Sequence, residues 1–473
     1  MDVQLNLAGR GDLAARIYRQ LLDAILDGRL RAGERLPPTR DLARQLEVSR
    51  NTVATAYDRL TAEGFLVGRV GAGTFVSGEP LTRLRARSAP AGEVRPRWLW
   101  QSLPPASERD ARRPPYDFGV GLPDPALFPL ETWRRLVNRE LRASAIRVSS
   151  YAGPGGHRAL REAIARYIGV SRSVRTGADD VIVTNGAQQA LDLIARVLVE
   201  PGGCVAVEEP GYPPARSLFA SHGARVAGVP VDGQGLVVDA LPDDAAVVYV
   251  TPSHQFPLGT PMSLARRTAL LEWAARRGAV VVEDDYDSEF RYSDRPLEPL
   301  QSLDGGGRVL YVGTFSKTLL PMLRIGFVIA PASLQPALRA AKQLTEWHGD
   351  QTAQAALARL IDEGLLARHI RKAGREYGAR RALIVSSLAG ELGEYLTLVP
   401  SAAGLHVAVR CDGVDAETAA RGAAGAGVAV ETLDQYCARS PGENGFVLGY
   451  GLIPLDRIEA GLRLLGKALR EAV

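Results

Sequence analysis

Apolar runs that alternate with helix-like runs between residues 180 and 329 constrain this chain most. The apolar runs are 180–184, 204–207, 246–250, 280–283, 309–312 and 324–329. Strands that are apolar throughout and separated by helices indicate an α/β domain with a mainly parallel sheet. Ligands bind such sheets at the carboxyl ends of the strands. Polar residues that follow these runs are therefore the first candidates for a site.

Bulk composition narrows the class of protein. A length of 473 residues predicts two or three domains, and 46% hydrophobic with 23% charged residues is typical of a soluble protein. Three widely spaced cysteines predict neither a disulfide framework nor a metal site, so we expect a reducing compartment and no metal. The charged N-terminus predicts no signal peptide, and no apolar run has membrane-spanning length. We expect a cytoplasmic protein.

Residues 1–77 are predicted to form a winged helix-turn-helix domain. Three capped helices and a hairpin carry this prediction: 14–26 behind Asp12, 40–46 behind Thr39, 50–63 behind Ser49, and strands 65–67 and 74–76 around a glycine-rich tip. Two short helices across a tight turn, followed by a β-wing, are typical of DNA-binding domains.

Charge supports the same interpretation. Residues 1–90 contain fourteen arginines, no lysine and ten acidic residues, an excess that equals the net +4 of the whole chain. Arg50, Asn51 and Thr52 open the third helix, where side chains of these types can read bases or hold phosphates. The alternative is a helical protein-binding module with an arginine-rich face. The order of helices and hairpin favours DNA.

Lys317 lies just after the run 309–312, in a chain that has only four lysines. The other three lie in helix-like segments, and arginine is the usual cation. An amine can form an imine with an aldehyde, which a guanidinium cannot. An ordinary surface lysine is the alternative on this segment alone.

Other strand ends carry complementary groups. Gly186, Ala187 and Gln188 open a helix that can bind an anion. Tyr212 could stack on a planar ring, Asp284 could pair with a ring nitrogen, and Tyr286 could bond a ring oxygen. Singly, these residues are as compatible with a tight turn, loop packing or helix caps. Jointly they meet the requirements of pyridoxal 5′-phosphate (PLP).

Several segments resemble known families. Leu-Pro-Pro-Thr-Arg-Asp-Leu-Ala at 36–43 and Val-Ser-Arg-Asn-Thr-Val at 48–53 resemble the GntR regulators over roughly residues 10–77. Asn-Gly-Ala-Gln-Gln-Ala at 185–190, Asp-Asp-Tyr at 284–286 and Ser-Lys at 316–317 resemble fold-type I aminotransferases over residues 116–473. The combination, with Thr-Pro-Ser-His-Gln-Phe-Pro at 251–257, resembles the MocR subgroup of GntR regulators.

This resemblance implies a multidomain architecture. We expect the winged helix, a Pro/Arg-rich linker over 78–115, and an α/β PLP-dependent transferase fold over 116–473 with large and small domains, the small one from about residue 345. DNA contacts are implied for Arg40, Arg50 and Thr52, and for Arg69 and Gly71 in the wing. Ala54 replaces a basic residue that family members often carry.

The resemblance also implies roles around the cofactor. Lys317 forms the internal aldimine, Asp284 pairs with the pyridine nitrogen, Tyr286 bonds the 3′-oxygen and Tyr212 stacks on the ring. The phosphate group is implied to be held by six residues: Gly186, Ala187, Gln188, Thr314, Ser316 and Arg324. Tyr151 is implied to reach the phosphate of a partner subunit, so we expect a homodimer.

Two departures from the aminotransferase pattern shape the functional prediction. Ser253 or His254 must replace the usual ring-oxygen asparagine, and the strand 445–450 lacks the expected carboxylate-binding arginine, for which only Arg410 and Arg439 remain. We therefore expect a PLP-dependent regulator of promoter DNA that senses PLP or an amine or amino-acid effector. Pro214 argues against a GABA-like ligand. A working aminotransferase with a DNA-binding domain, and DNA binding without a cofactor, are the alternatives; half-reactions of transamination remain compatible with a sensor.

Overall fold

The computed structural model describes residues 5–7, 12–78, 93–101, 103, 113–142, 150–292, 298–390, 392–401, 403–438 and 442–473. The chain divides into two compact units between Arg95 and Pro96. None of the helices in these described ranges combines the length and the apolar character needed to cross a bilayer.

The described residues of the first unit form three helices and a hairpin. Its elements are α1 Leu13–Leu26, α2 Thr39–Gln45, α3 Arg50–Ala62, β1 Leu66–Arg69 and β2 Gly73–Val76. Strands β1 and β2 pair antiparallel around a turn that holds the glycine-rich tip. Ile17, Leu21 and Ile25 of α1 form one core with Val53 and Leu60 of α3, because both helices place apolar residues at helical spacing.

Side-chain caps begin two of the three helices. The Asp12 carboxylate accepts from the Ala14 amide at 2.9 Å, and the Ser49 hydroxyl accepts from the Thr52 amide at 3.1 Å, both as predicted. The prediction for Thr39 was wrong. Pro38 occupies the cap position without a side-chain bond, and Thr39 is the first helical residue. The fixed φ of the proline already suits the start of a helix, so the chain turns one residue earlier than the threonine suggested.

The parts of the second unit that the structure describes form a large sheet, a smaller sheet and a two-stranded pair. Its strands are β3 Tyr116–Asp117, β4 Val181–Thr184, β5 Cys204–Glu209, β6 Arg225–Asp232, β7 Gly235–Leu236, β8 Ala245–Val250, β9 Val280–Asp285, β10 Val309–Thr314, β11 Gly326–Ile329, β12 Leu396–Leu398, β13 His406–Cys411, β14 Val428–Ala429, β15 Glu431–Thr432 and β16 Gly445–Gly449. Its helices are Trp98–Gln101, Leu130–Glu140, Arg158–Arg172, Gly186–Leu198, Pro213–Ser221, Leu264–Arg277, Leu300–Leu303, Gln335–Thr345, Gln351–Asp362, Leu365–Ala389, Ala416–Gly425 and Ile458–Glu471.

The large sheet has the strand order β4-β11-β10-β9-β8-β5-β6-β7. Strands β10, β9, β8, β5 and β6 run parallel, which confirms the α/β prediction. Strand β11 runs antiparallel to both of its neighbours. The segment 315–325 that joins β10 to β11 is too short for the crossover that a parallel strand requires.

Burial of both sheet faces explains why the strands are apolar throughout. Leu310 and Val312 of β10 pack with Leu191 on one face. Tyr311, between them in sequence, packs with Phe327 on the other face. Successive residues of a strand point to opposite faces, so a sheet covered on both sides needs apolar residues at every position.

The smaller sheet is antiparallel, in the order β12-β13-β16-β15. Val407 and Phe446 of this sheet share a core with Tyr377 of the long helix Leu365–Ala389 and Leu462 of the last helix. Strand β3 pairs parallel with β14, which ties the start of the second unit to its C-terminal part. This pairing brings residues after β3 towards the large sheet and into the site described next.

Candidate functional site

A cavity of about 530 Å³ opens where the parallel strands end. Its wall combines strand-end residues with segments from both ends of the second unit. The charged and polar lining residues include Lys317, Asp284, Asp287, Arg324, Tyr286, Tyr212, Tyr249, Thr314, Ser316, Gln188, His406, Glu431, Gln435 and Tyr436. Most of the residues predicted from strand ends thus meet at one cavity.

Lys317 follows β10 and is half-buried at the cavity wall. Its Nζ donates a hydrogen bond to the Gly121 carbonyl at 2.6 Å. Gly121 has φ +79°, and a Cβ there would lie 2.8 Å from the lysine Nζ. The glycine therefore allows the close approach that fixes the amine at the cavity.

Asp284, the next-to-last residue of β9, has one carboxylate oxygen bonded and the other unpartnered. Its Oδ2 accepts from the Tyr249 hydroxyl at 2.8 Å, whereas its buried Oδ1 has no partner among the described residues. Burial raises the pKa of Asp284 to about 7, and neighbouring Asp285 adds to this effect. A buried acceptor without a donor is costly, so this oxygen is suited to a donor on a bound molecule, such as a protonated ring nitrogen.

Asp285 has the opposite environment. Its Oδ2 is paired with Arg172 Nε at 2.7 Å and with the Tyr311 hydroxyl, and its buried Oδ1 has no hydrogen-bond partner among the described residues. Burial alone would raise its pKa, but Arg172 and Tyr311 lower it below the usual range. Of the two adjacent acids, only Asp284 lines the cavity, whereas Asp285 is ion-paired with Arg172 behind the wall.

Tyr286 lies at the cavity and is held from behind by His254. The Tyr286 hydroxyl is 3.0 Å from His254 Nδ1 and also donates to the His254 carbonyl at 3.0 Å. His254 Nδ1 lies 3.1 Å from the Asp287 carboxylate. Burial raises the pKa of the tyrosine well above its usual value. The phenol is thus a neutral donor at the cavity.

Ser253 and His254, the two candidates to replace a ring-oxygen asparagine, both make their contacts behind the cavity wall. Neither side chain lines the cavity. The Ser253 hydroxyl accepts from Arg172 at 2.6 Å, because the buried guanidinium needs acceptors besides Asp285. His254 sits one layer behind, bonded to Tyr286 and Asp287. The segment instead presents Thr251 and Phe256 to the cavity.

The predicted phosphate residues gather around the start of the helix Gly186–Leu198. Ala187, Gln188, Thr314, Ser316 and Arg324 line the cavity. The Arg324 guanidinium donates to the Asn185 carbonyl at 2.7 Å, and a Cβ on Gly186 would lie 2.9 Å from it. Gln188 Oε1 is buried without a partner among the described residues. Backbone amides at a helix start, with a guanidinium and two hydroxyls, suit a phosphate group.

Aromatic residues form another wall of the cavity. Tyr212 meets Phe256 edge to face, with ring centroids 5.5 Å apart. Phe256 also contacts Tyr286 and Tyr436 in the same manner, at 5.8 and 5.1 Å. A planar ring beside Tyr212 would lie in this aromatic environment.

Tyr151 is not brought to the cavity of its own chain. It is 77% exposed and packs on Trp347, with ring centroids 5.1 Å apart. A contact of Tyr151 with a phosphate therefore needs a second subunit, as the sequence-based expectation states.

The structure describes one of the two arginines considered for binding a substrate carboxylate. Arg410 is half-exposed and pairs with Glu443 at 3.0 Å, and it does not line the cavity. Arg439 lies outside the described residues. In β16, the strand that lacks the expected carboxylate-binding arginine, Val447 is buried and packs with Val120 and Tyr436.

Most of the DNA-binding candidates lie on exposed positions of the first unit. Arg40, Arg50 and Asn51 are exposed at the starts of α2 and α3, and Arg50 Nε reaches the Thr39 hydroxyl at 3.5 Å, which links the two helix starts. Thr52 is half-buried and its hydroxyl bonds Ser49.

The remaining two candidates lie in the wing. Arg69 and Gly71 are exposed around its tip, and the Arg69 guanidinium lies 4.9 Å from the Phe75 ring centroid. This aromatic contact fixes a positive charge on the hairpin.

Sequence reasoning left several cavity residues out of the predicted site. Gly121, Tyr249, Phe256, Glu431 and Tyr436 all line the cavity. Tyr249 carried a weak signal, a hydroxyl inside an otherwise apolar strand. The others come from segments far from Lys317 in sequence, and no spacing connects them to it.

Comparisons with known proteins agree with this geometry. Residues 13–76 match the family described as bacterial regulatory proteins, gntR family, and residues 116–438 match aminotransferase class I and II. A chain with a GntR helix-turn-helix that binds DNA and an aminotransferase fold that takes PLP belongs to the class of transcription regulators built on a fold-type I PLP domain.

Full-length relatives identify the family. The chain is 38% identical over 457 residues to the probable rhizopine catabolism regulatory protein MocR of Rhizobium meliloti, covering 96% of this chain and 93% of that one. It is 32% identical to the pyridoxine biosynthesis transcriptional regulator PdxR of Corynebacterium glutamicum, covering 95% and 94%. The chain belongs to the MocR subfamily of GntR regulators.

A solved structure gives the same fold for the second unit. The kynurenine aminotransferase of Pyrococcus horikoshii, solved in complex with PMP, superposes with a TM-score of 0.71 at 30% identity, covering 76% of this chain and 92% of that one.

Proposed function

We propose that this regulator senses PLP, or an amine presented to bound PLP, through Lys317. The observation that carries the proposal is the cavity itself, where the Lys317 amine and the unpartnered Oδ1 of Asp284 face the same space. PLP, when bound, supplies an aldehyde that condenses reversibly with a primary amine.

In this proposal, different residues of the cavity wall hold different parts of PLP. Asp284 would accept a hydrogen bond from the protonated ring nitrogen. The Tyr286 hydroxyl, whose one proton goes to the His254 carbonyl in this structure, would turn to donate to the ring oxygen. Tyr212 lies against the ring. Arg324 and the amides at the start of the helix Gly186–Leu198 hold the phosphate, with Thr314 and Ser316 supplying hydroxyls.

Regulation requires that the ligand distinguish two arrangements of the protein. A ligand that binds both arrangements equally shifts nothing. We propose a homodimer in which Tyr151 completes the partner's phosphate site. Two winged helices per dimer would read two half-sites on promoter DNA, and an effector would change how well both are engaged.

A working aminotransferase is the second candidate, favoured by the fold and by the 30% identity to a solved aminotransferase. A specific observation weighs against it. The described cavity wall offers no cation besides Lys317 and Arg324 for a substrate carboxylate.

Borohydride trapping tests the role of Lys317. The full-length protein is mixed with PLP, reduced and digested, and the labelled peptide is identified by mass spectrometry. We expect the label on Lys317 in the wild type and in Lys372→Ala, which removes an exposed helix lysine, and none in Lys317→Ala. A label elsewhere would contradict the proposal. Repeated turnover with an amino acid and a keto acid would favour the aminotransferase.

A further inference from the structure

Two cations line the cavity in the described part of the chain, and the proposed function uses both. Lys317 is the amine that holds the cofactor. Arg324 sits at the phosphate end, where it bonds the Asn185 carbonyl beside Gly186. His406 also lines the cavity, but burial and its neighbour His254 lower its pKa well below the usual value, so its ring is neutral. Neither cation is left for a third group on the ligand.

A fixed carboxylate lies in the same wall. Glu431, on β15, accepts from the Val120 amide at 2.9 Å through Oε1 and from the Tyr436 hydroxyl through Oε2. Within the described ranges of the chain, Glu431 has no ion-pair partner within 4.0 Å. The Glu431 carboxylate is thus oriented by two neutral donors, and none of its hydrogen-bond partners among the described residues is a cation.

Consecutive backbone groups hold this carboxylate and the lysine. The Val120 amide binds Glu431, and the Gly121 carbonyl binds Lys317 Nζ at 2.6 Å. The two side chains therefore approach the cavity from one short piece of backbone. A small molecule whose amine displaces the lysine amine from the cofactor aldehyde would leave the free Lys317 amine with the Gly121 carbonyl, and its other substituents would lie in the cavity that Glu431 also lines.

The neighbouring strand offers apolar packing at this end. Val447 of β16 is fully buried against Val120 and Tyr436, two residues of the cavity wall. A ligand carboxylate here would meet Glu431 as a like charge without a compensating cation, which is unfavourable in a partly buried site.

We propose, building on the proposed function, that the effector is a primary amine without a carboxylate, whose hydroxyl or second ammonium group donates to Glu431. Amino alcohols and diamines have this chemistry, and amino acids lack it. A hydrogen bond to a charged group contributes more than a neutral one, so Glu431 sets the preference between these classes.

Matched ligand pairs test this inference in the full-length protein loaded with PLP. Serine and 2-amino-1,3-propanediol differ only in a carboxylate against a hydroxymethyl group. The compounds 4-aminobutanoate and 1,4-diaminobutane differ in a carboxylate against an aminomethyl group. We expect the carboxylate-free member of each pair to change the cofactor's visible absorbance at about tenfold lower concentration or less. Tighter binding of the carboxylates, or no response to either carboxylate-free ligand, would overturn the inference.

Variants locate the preference. Glu431→Gln keeps the size of the side chain and should reduce the preference about tenfold. Glu443→Gln, which makes the same change at a residue paired with Arg410 outside the cavity, should leave it intact. Arg439→Ala should also leave the preference intact. The inference is wrong if the wild type prefers serine or 4-aminobutanoate and Arg439→Ala abolishes that binding.

The predicted order of ligand affinities and the proposed regulatory role are tested by separate measurements. Calorimetric titration of the same four compounds measures their affinities whether or not DNA binding responds. If DNA affinity does not change with any of the ligands, the proposed sensor is contradicted. The predicted order of ligand affinities is then still tested by the calorimetric titrations.

Discussion

At the scale of single residues, Asp284 has a carboxylate oxygen free to bind a ligand, and its burial lowers the free energy of unfolding when the carboxylate is charged. Its folded-state pKa is about 7, against 3.8 for an ordinary aspartate. Between these values the folded protein binds more protons than the unfolded chain, so the free energy of unfolding falls as pH rises through this window. Above pH 7 the cost is complete, because the carboxylate is then charged and only half satisfied.

Asp284→Asn is expected to stabilise the cofactor-free protein at pH 8 and to have little effect near pH 4. The amide does not titrate and can still accept from the Tyr249 hydroxyl, so the gain at high pH is on the order of a few kcal/mol. Unfolding midpoints of wild type and variant across this range measure it. The same change should weaken PLP binding, since the ring nitrogen loses its anionic partner. A pH-independent difference would contradict the assignment.

Residues at strand ends were accessible from sequence because the topology of a parallel sheet brings those ends together. Lys317, Asp284, Tyr286 and Tyr212 meet at one cavity for this reason. Glu431 was not accessible. It reaches the cavity only because β3 pairs with β14 and so carries residue 120 to the site, a contact between segments about 300 residues apart that no local pattern encodes.

At the scale of elements, the start of the helix Gly186–Leu198 depends on a glycine. Gly186 has φ +76°, and any Cβ there would displace the Arg324 guanidinium. The far end of an arginine can move, so the clash itself costs little folding free energy. It does move the charge away from the phosphate position.

Gly186→Ala is therefore expected to lower PLP affinity by more than it lowers stability. Gly202→Ala is the matched control: Gly202 has φ +86° but nothing within 4 Å of an added Cβ. Both variants should lose about 1–2 kcal/mol to the left-handed backbone. Only Gly186→Ala should weaken PLP binding, by about tenfold. Equal PLP affinities of the two variants would argue against the phosphate site.

The DNA-facing elements allow a similar comparison. Arg50→Ala, at the start of α3, should lower affinity for the specific operator by about 1–3 kcal/mol. Arg19→Ala removes the same charge from an exposed position on α1 and should have a much smaller effect. Gel-shift titrations at fixed salt measure both. A larger loss from Arg19→Ala would place the DNA on another face.

Helices and strands were largely predictable because each carries its period and its stop signals in sequence. The exceptions have local physical causes. Pro38 begins α2 one residue before the position that Thr39 suggested, and the short segment after β10 turns β11 antiparallel. Neither outcome follows from the composition of the affected element alone.

At the scale of the whole molecule, the central claim is that chemistry at Lys317 changes DNA binding by the winged helix. Lys317 and the winged helix lie in different compact units of one chain. Coupling free energies of this kind are typically about 1–3 kcal/mol, which corresponds to roughly 5- to 150-fold in affinity.

The most direct test is the affinity of the full-length protein for the DNA upstream of its own gene, measured with and without PLP and then with 2-amino-1,3-propanediol. For the wild type and for Lys372→Ala we expect the affinity to change at least fivefold between states. For Lys317→Ala we expect one affinity under all conditions. A Lys317→Ala protein that responds like the wild type would contradict the account.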